Sequence, residues 1–235
     1  MRTFNWQGYD WINGQSWGVI HPENTKQHYD ETANSIDDKG YLNLKTKYNP
    51  KYFEELDVTS PIGIGLVHST FKFGHGYFEI EAKLPIGKRL WPAFWFGSWG
   101  NWPPEIDVFE AYTNKWGNYL HWDWRTPFAL WNVKTNYHWR LDGIKDELGG
   151  KSKFFTLKDP SKNYFKYSLL WTEDKCEIFY NGKLARKITD RRVLDDYNKY
   201  EMCVILNNAV NEGADLTETH QESNFIIKSF KWDPI

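Results

Sequence analysis

Three acidic residues within six positions, Glu105, Asp107 and Glu110, are the side chains of this sequence best suited to chemistry. On a regular strand Glu105 and Asp107 share a face, whereas Glu110 lies an odd number of positions from both and points to the opposite face. A β-bulge at Val108-Phe109 would add one residue and return Glu110 to the face of the other two. The sequence therefore predicts three carboxylates in a row on one bulged strand.

Such a row is energetically costly, because like charges repel at close range and each carboxylate loses hydration among neighbouring tryptophans. Crowding raises the pKa of at least one carboxyl group, which suits that group to general acid catalysis near neutral pH. A more solvated partner stays ionised and can attack carbon. Retaining glycosidases divide the work in this way, with the two carboxyl groups roughly 5 Å apart. We therefore interpret Glu105 and Glu110 as a catalytic pair that cleaves glycosidic bonds.

Two other interpretations of clustered acids fit the sequence less well. A solvated edge strand carries scattered acids, but the neighbours Ile106, Val108 and Phe109 are apolar enough for an interior strand. A calcium loop needs oxygen ligands in a flexible turn with a central glycine, and no glycine separates these acids. We therefore predict no metal site and no required cofactor, and we do not predict a structural calcium ion.

The acid cluster and the segment before it resemble a known enzyme family, glycoside hydrolase family 16. Members of that family carry a Glu-x-Asp-x-x-Glu strand after a segment of the type Trp-Pro-Ala-Phe-Trp, which here is residues 91–95. The similarity covers most of the chain from about Ile64 to Trp232, whereas the first sixty residues match only loosely. The two-residue spacing between Asp107 and Glu110 is similar to that of the bulged branch, which includes laminarinases, agarases, porphyranases and carrageenases.

The resemblance implies a two-sheet β-jelly roll whose concave face binds glycan. It implies that Glu105 is the nucleophile, that Glu110 is the acid/base, and that Asp107 holds a hydrogen bond with the nucleophile. Two positions depart from the family pattern, because Pro104 replaces a common glycine and Glu81 replaces an arginine found in many members. We expect the proline to alter the cleft entrance and Glu81 to change a charge near the site.

The elements that position these acids are predicted to be strands. Polar and apolar residues alternate with period two over residues 77–84 and 165–171. Further strands are predicted at residues 41–47, 66–73, 176–180, 183–188, 202–207 and 224–232. Asn181-Gly182 favours a tight hairpin, and only residues 190–200 suggest a short helix. Residues 126–163 lack clear periodicity, so we predict long loops over a functional face. The pattern predicts one all-β domain over residues 1–235, an antiparallel, concanavalin A-like β-sandwich.

The amino-acid composition favours a glycan-binding cleft over a surface that binds nucleic acid or a membrane. Trp, Tyr and Phe make up 18% of the chain, more than a core alone would use, so we predict an aromatic-lined cleft as well as aromatic packing. A net charge of −2 argues against nucleic acid as a partner. No apolar run reaches the ~20 residues of a membrane helix, and the start lacks a signal peptide's apolar stretch. We expect a monomer that is secreted, at the cell surface or periplasmic.

Seven residues are candidates for binding the polysaccharide: Trp91, Trp95, Trp99, Trp102, His121, Arg125 and Asn207. Trp99 and Trp102 lie in a loop rich in Gly, Asn and Pro and are predicted as exposed platforms, whereas Trp95 is either a platform or part of the core. His121 is expected on the strand that returns beside the catalytic one, as a substrate contact or a structural histidine.

Each remaining polar candidate has a structural alternative as well. Asn207 is either a cleft residue or an ordinary polar residue at a strand end. Arg125 and Arg140 either bind sulfate or carboxylate groups of a substrate or are solvated surface arginines.

The sequence as a whole predicts an endo-acting retaining glycoside hydrolase that cleaves a β-linked polysaccharide by double displacement. The predicted substrate is a β-galactan, such as agar, porphyran or carrageenan, or a β-1,3-glucan. Two alternatives remain open: a lectin-like domain that binds glycan without cutting it, and a transglycosylase that passes the sugar to another glycan.

Overall fold

The computed structural model describes residues 2–15, 20–21, 24–98, 100–121, 130–140, 148–150, 152–211 and 223–235. These residues form two facing β-sheets, which confirms the predicted sandwich. The strands, in chain order, are β1 (Arg2–Trp6), β2 (Tyr9–Asn13), β3 (Ile20–His21), β4 (Asn24–Tyr29), β5 (Asn34–Ile36), β6 (Leu42–Phe53), β7 (Val58–Ile64), β8 (Leu66–Ser69), β9 (Gly76–Lys83), β10 (Leu90–Gly97), β11 (Glu105–Glu110), β12 (Leu120–His121), β13 (Leu130–Trp139), β14 (Leu148–Gly149), β15 (Ser152–Thr156), β16 (Phe165–Thr172), β17 (Lys175–Tyr180), β18 (Lys183–Ile188), β19 (Cys203–Val210) and β20 (Ser223–Pro234).

The two sheets draw their strands from the whole length of the chain. The first sheet has the order β1-β2-β8-β19-β10-β11-β13-β12, with β14 and β15 also paired to β13. The second has the order β18-β17-β16-β9-β20-β6-β7-β4-β3, with β5 paired to β6. Among the strands of the described ranges the pairing is antiparallel except between β4 and β7, which run parallel. The second sheet is therefore mixed.

Helical structure is sparse in the described part of the chain. One α-helix, α1 (Arg191–Tyr197), begins after Asp190, whose side chain accepts a hydrogen bond from the backbone N–H of Arg192 at 3.0 Å. Two 3-10 helices cover Glu31–Ala33 and Glu54–Leu56. No helix in these ranges is long and apolar enough to cross a membrane.

The predicted hairpin at Asn181-Gly182 is confirmed. Both residues have positive φ, 49° and 75°, and the turn joins β17 to β18, where Tyr180 pairs with Lys183. Positive φ at both central positions is the geometry that matches the twist of the flanking strands, and Asn-Gly adopts it at low cost.

The prediction of long loops over residues 126–163 is wrong, because this stretch contains β13 and β15. Val133 and Trp139 in β13 point to the core, whereas Lys134, Asn136 and His138 alternate with them and belong to the opposite face. The alternation is present in the sequence, because Trp131, Val133, Tyr137 and Trp139 take the core-facing positions. Thr135 is the one residue that interrupts this apolar face.

Aromatic rings from the two sheets meet in the core. Phe78 of the second sheet contacts Phe96 of the first at 4.7 Å between ring centroids, and Phe109 lies 4.5 Å from Tyr167. All four are fully buried. Aromatic pairs add roughly 0.5–1.5 kcal/mol each beyond the area they bury, so much of the aromatic surplus stabilises the sandwich.

Candidate active site

A β-bulge in β11 brings the three acids to one face, as the spacing predicted. Toward β10, Asp107 pairs with Trp95 and Phe109 with Phe94, so Val108 is the extra residue. Toward β13 the register shifts between Asp107 and Glu110 as well. The two interior neighbours of β11 therefore both accommodate the bulge.

Burial shows which way each side chain of β11 points. Ile106, Val108 and Phe109 are all fully buried members of the hydrophobic core between the sheets. Val108 and Phe109 are consecutive, so the bulge turns two neighbours inward, and the residues on either side of the pair turn outward. We call the face that carries Glu105, Asp107 and Glu110 the acid face; it is the side of the first sheet opposite the core.

Glu105 is held by an indole and by a helix. Its Oε2 accepts a hydrogen bond of 2.9 Å from the Nε1–H of Trp102, and its backbone carbonyl accepts one of 3.2 Å from the hydroxyl of Tyr197 in α1. Its carboxyl group also shares a hydrogen bond with Asp107. The side chain of Glu105 keeps 15% of its surface exposed, whereas the whole of Asp107 keeps 3%. Glu105 is thus the more accessible of the two.

Glu110 lies in a more enclosed position. It is 6% exposed, and its Oε1 accepts a hydrogen bond of 2.8 Å from the hydroxyl of Tyr112. Burial and the charge of Glu110 raise the pKa of Tyr112 well above its usual 10, so the phenol keeps the proton that it donates. The ring of Tyr112 stacks on Trp91 with centroids 5.1 Å apart. Glu110 therefore has one fixed oxygen and one, Oε2, with no hydrogen-bond partner among the described residues.

His138 joins the acids, and the sequence interpretation did not include it. Its Nε2 lies 3.4 Å from Glu105 Oε1, 3.7 Å from Asp107 Oδ2 and 2.8 Å from Asn136 Nδ2. One ring nitrogen thus lies between two carboxyl groups and an amide. The alternation of β13 is the signal that could have placed His138 on the acid face.

The electrostatics of the group favour one retained proton. Burial, and to a smaller extent the charge of Glu110, raise the pKa of Glu105 from 4.5 to about 7. The hydrogen bonds with Trp102 and Asp107 act in the opposite direction and lower it. A raised carboxyl pKa was expected on the general acid, but it lies on Glu105, and burial contributes more to it than the crowding of charges. The residue that the resemblance implies as nucleophile is therefore the one that must lose a proton near neutral pH.

Glu105, Asp107 and His138 are also the described residues that could hold a cation. Their ligand-capable atoms all lie within 4.8 Å of one another. Each carboxyl group, however, already takes part in hydrogen bonds within the site, and two acids with one histidine leave a metal ion few ligands. The absence of a required metal stays a prediction.

The predicted tryptophans of β10 and Asn207 of β19 form one connected group. The Nε1–H of Trp95 donates to Asn207 Oδ1 at 2.8 Å, and Asn207 Nδ2 donates to the carbonyl of Trp91 at 3.2 Å. Both indoles are partly buried, and Asn207 is 7% exposed. Cross-strand pairing sets Trp95 beside Asp107 and Asn207 beside Ala93, which itself pairs with Glu110. Asn207 thus fixes the tryptophans next to the acids.

Trp102 is the most exposed of the described tryptophan candidates. It keeps 48% of its surface exposed and lies 5.6 Å from His138 between ring centroids. Its carbonyl accepts a hydrogen bond of 3.0 Å from the guanidinium of Arg140. Arg140 is therefore next to the acid group, whereas the predicted residues Trp99 and Arg125 lie outside the described residues.

The expected position of His121 is wrong. The strand beside β11 is β13, and β12 pairs only with the Leu130–Trp131 end of β13, away from the residues opposite the acids. The ring of His121 is exposed and lies 6.1 Å from Phe155. Among the described residues the chain returns beside β11 at β13, one segment later than expected, and β12 lies at the edge of the sheet.

The expectation that Glu81 changes a charge near the acids is also wrong. Glu81 lies in β9 of the second sheet, on the face away from the core, where its carboxylate forms an ion pair of 2.9 Å with Lys228. The core separates it from the acid face. Pro104, by contrast, immediately precedes Glu105, in the segment that brings the Trp102 indole to the Glu105 carboxylate.

The chain is similar in sequence to a known enzyme family and to individual known proteins. The family model described as "Glycosyl hydrolases family 16" matches residues 23–226, which confirms the resemblance and extends it well before Ile64. "Glucan endo-1,3-beta-glucosidase A1" of Niallia circulans is 26% identical over 191 residues, 75% of this chain and 25% of that protein. "Endo-1,3-1,4-beta-glycanase ExsH" of Rhizobium meliloti is 46% identical over 135 residues, 57% of this chain and 25% of that protein.

A solved structure shares the fold. The structure of LamAcat from Zobellia galactanivorans superimposes with a TM-score of 0.74 at 23% identity, covering 94% of this chain and 90% of that one. The chain spans about a quarter of the length of the curated relatives named above.

Proposed function

The chain belongs to glycosyl hydrolase family 16, and from this premise we propose that it is an endo-acting, retaining hydrolase of β-1,3- or mixed β-1,3-1,4-glucan. The single observation that carries the proposal is the bulge at Val108, which gives Glu105, Asp107 and Glu110 one common face. Three acids on one face repel one another, and this arrangement is the one that cleavage of a glycosidic bond by a pair of carboxyl groups requires.

We propose a double displacement with Glu105 and Glu110 in different roles. The Glu105 carboxylate attacks the anomeric carbon while the glycosidic C–O bond breaks, and Glu110 gives its proton to the leaving oxygen. Water then attacks the same carbon, Glu110 takes the proton of that water, and the bond to Glu105 breaks. Two inversions at one carbon retain its configuration.

The neighbours supply orientation and charge. The Trp102 indole N–H stabilises the ionised form of Glu105 before attack and fixes one of its oxygens. Asp107, which shares a hydrogen bond with Glu105, adjusts to the change of charge as the covalent bond forms and breaks. The Tyr112 hydroxyl holds Glu110 through its Oε1, so the remaining oxygen, Oε2, is the one we assign to proton transfer.

The substrate class rests on the names of the relatives. One is called an endo-1,3-glucosidase acting on glucan and the other an endo-1,3-1,4-glycanase, so a β-glucan is favoured over the β-galactans that the sequence left open. Trp91 and Trp95, partly buried beside the acids, are suited to packing against the flat faces of glucosyl rings. We further propose that residues 1–235 form one catalytic domain, which acts as a monomer outside the cytoplasm.

The decisive experiment is an activity screen of the purified chain. Laminarin, mixed-linkage glucan, agarose, porphyran and carrageenans are incubated with wild type and product sizes are followed over time. Oligosaccharide ladders from the two glucans are expected. Glu105→Gln and Glu110→Gln should each lower turnover by several orders of magnitude while leaving the fold intact. Glu81→Gln, which removes a carboxylate on the far side of the core, is the matched control and should keep wild-type turnover.

Each other outcome assigns a different function. Glycan binding without any product would favour the lectin-like alternative, and transfer products longer than the substrate would favour a transglycosylase. Cleavage of galactans alone would overturn the glucan proposal but leave the catalytic residues in place. Full activity in Glu105→Gln or Glu110→Gln would refute the mechanism.

A further inference from the structure

A tyrosine of the second sheet reaches across the core to the bulge. Tyr180 ends β17 and is 1% exposed. Its hydroxyl donates a hydrogen bond of 2.7 Å to the carbonyl of Val108, and the carbonyl of Lys134 lies 3.3 Å from the same oxygen. A phenol has one hydrogen, so the shorter contact to Val108 takes it.

The two carbonyls lie where the sheet loses its regular pairing. Val108 faces no residue in the registers of β10 or β13, and Lys134 pairs with Glu110 directly after the register shift. A bulge leaves its extra residue outside the ladder, and an unpaired carbonyl in a core is costly. The Tyr180 hydroxyl supplies the missing donor from the opposite sheet.

We propose that Tyr180 is a positioning residue, whose hydroxyl holds the Val108 bulge and thereby keeps Glu110 on the acid face. This inference rests on the proposed function, because it assigns Tyr180 a part in catalysis without contact to substrate. Glu110 is two residues from Val108, so a rotation of the Val108 peptide moves the Glu110 carboxyl relative to Glu105. Displacements of about 1 Å between reacting groups lower rates by up to roughly a hundredfold.

The neighbouring Tyr167 offers a matched control. Its ring lies 5.2 Å from that of Tyr180 in the same core, and it is 0% exposed. Its hydroxyl has no hydrogen-bond partner among the described residues. Tyr180→Phe and Tyr167→Phe therefore each remove one buried oxygen from the same region, and only the first removes a bond to the bulge.

The test measures both variants and wild type as the full chain. We expect Tyr180→Phe to lower kcat by roughly tenfold or more. KM should stay within about twofold of wild type because the tryptophans of β10 are untouched, and Tyr167→Phe should leave kcat unchanged. A 4-aminophenylalanine at position 180, which restores an N–H donor, should recover most of kcat and remains informative if the phenylalanine variant folds poorly.

The pH profile separates positioning from simple loss of stability. Glu105 faces Asp107, Glu110 and His138, and the charge of Glu110 helps to raise its pKa. A displaced Glu110 should therefore move the acid limb of kcat/KM in Tyr180→Phe to lower pH. A variant that is merely less stable would keep the wild-type profile below its Tm.

Two results would overturn the proposal. One is wild-type kcat and pH profile in Tyr180→Phe; the other is a crystal structure of that variant with the bulge and Glu110 unchanged, a criterion that needs no activity. An inactive wild type would instead refute the proposed function, and the crystal structure would still decide whether Tyr180 holds the bulge.

Discussion

At the scale of single residues, Glu105 determines how the site responds to pH. Its raised pKa means that it is neutral at low pH and gains its charge as pH rises through about 7. If Glu105 is the nucleophile, kcat/KM of the free enzyme should fall about tenfold for each pH unit below that value. Initial rates on a soluble glucan between pH 4 and 9 measure the limb.

Trp102 provides the control for this pH dependence. Its indole hydrogen bond lowers the pKa of Glu105, so Trp102→Phe should move the acid limb to higher pH, whereas the limb of Glu81→Gln should not move. An acid limb near the ordinary carboxyl pKa in wild type would contradict the assignment of the raised pKa to Glu105.

The same group links pH to stability. The pKa of Glu105 is raised in the folded state, so its stabilising contribution is complete below about 4.5 and is lost as pH rises through about 7. A glutamine at position 105 cannot ionise, so the Glu105→Gln variant should have a free energy of unfolding at pH 8 that is higher than that of wild type by on the order of 2 kcal/mol. Urea unfolding at pH 4 and pH 8 gives the difference.

Glu177 offers a comparison of opposite sign. Hydrogen bonds from Lys175 and Lys187 lower the pKa of Glu177, so its contribution to stability is lost as pH falls, not as pH rises. Glu177→Gln should accordingly destabilise the protein slightly at pH 8 and have no effect at low pH. Equal behaviour of the two variants would show that burial does not set the Glu105 pKa.

The shared face of the three acids could be predicted from sequence, because a bulge explains both their spacing and the apolar residues between them. Tyr112 could not, since it reaches Glu110 through a turn of the chain that no local pattern specifies. The alternation of β13 indicates the face of His138, but its contact with Glu105 depends on the register between β13 and β11. The orientation of the Trp102 indole depends likewise on tertiary contacts.

At the scale of elements, Asn207 connects β19 to β10. It is the one side chain that bonds both the Trp95 indole and the Trp91 backbone in the described site. Asn207→Ala should lower stability by roughly 1–3 kcal/mol, because buried partners lose their bonds. KM for the glucan should rise more than kcat falls, since the tryptophans belong to the proposed binding surface and not to the reacting pair.

Thermal unfolding and Michaelis kinetics test this prediction. Asn163→Ala, which removes an exposed amide bonded only to the carbonyl of Asp159 among the described contacts, is the control and should change neither quantity. A fall in kcat with KM unchanged would place Asn207 with the catalytic acids instead.

Element boundaries were predictable where hydrophobic alternation ran without interruption. β9, with Phe78, Ile80 and Ala82 inward, was predicted to within a residue or so of its observed ends. β13 was missed although Trp131, Val133, Tyr137 and Trp139 alternate with polar residues along it. Thr135 interrupts the apolar face of that strand.

At the scale of the whole molecule, the sandwich could be predicted from strand number and turn residues, but its strand order could not. β19 and β20 pair with partners more than a hundred residues away, and no local signal encodes such pairings. The high aromatic content has two causes, core packing and the acid face, and the sequence alone did not show which residues belong to which. Phenylalanines fill the space between the sheets, and several tryptophans lie along the acid face.

The insertion of β19 between β8 and β10, and of β20 between β9 and β6, has a consequence for biosynthesis. Both sheets keep an open gap at their centres until β19 and β20 have been synthesised, so the strands made earlier have unpaired edges until then. A chain truncated before β20 should show no cooperative melting and should depend on chaperones to stay in solution. Late closure would also keep the nascent domain inactive until β20 has been synthesised.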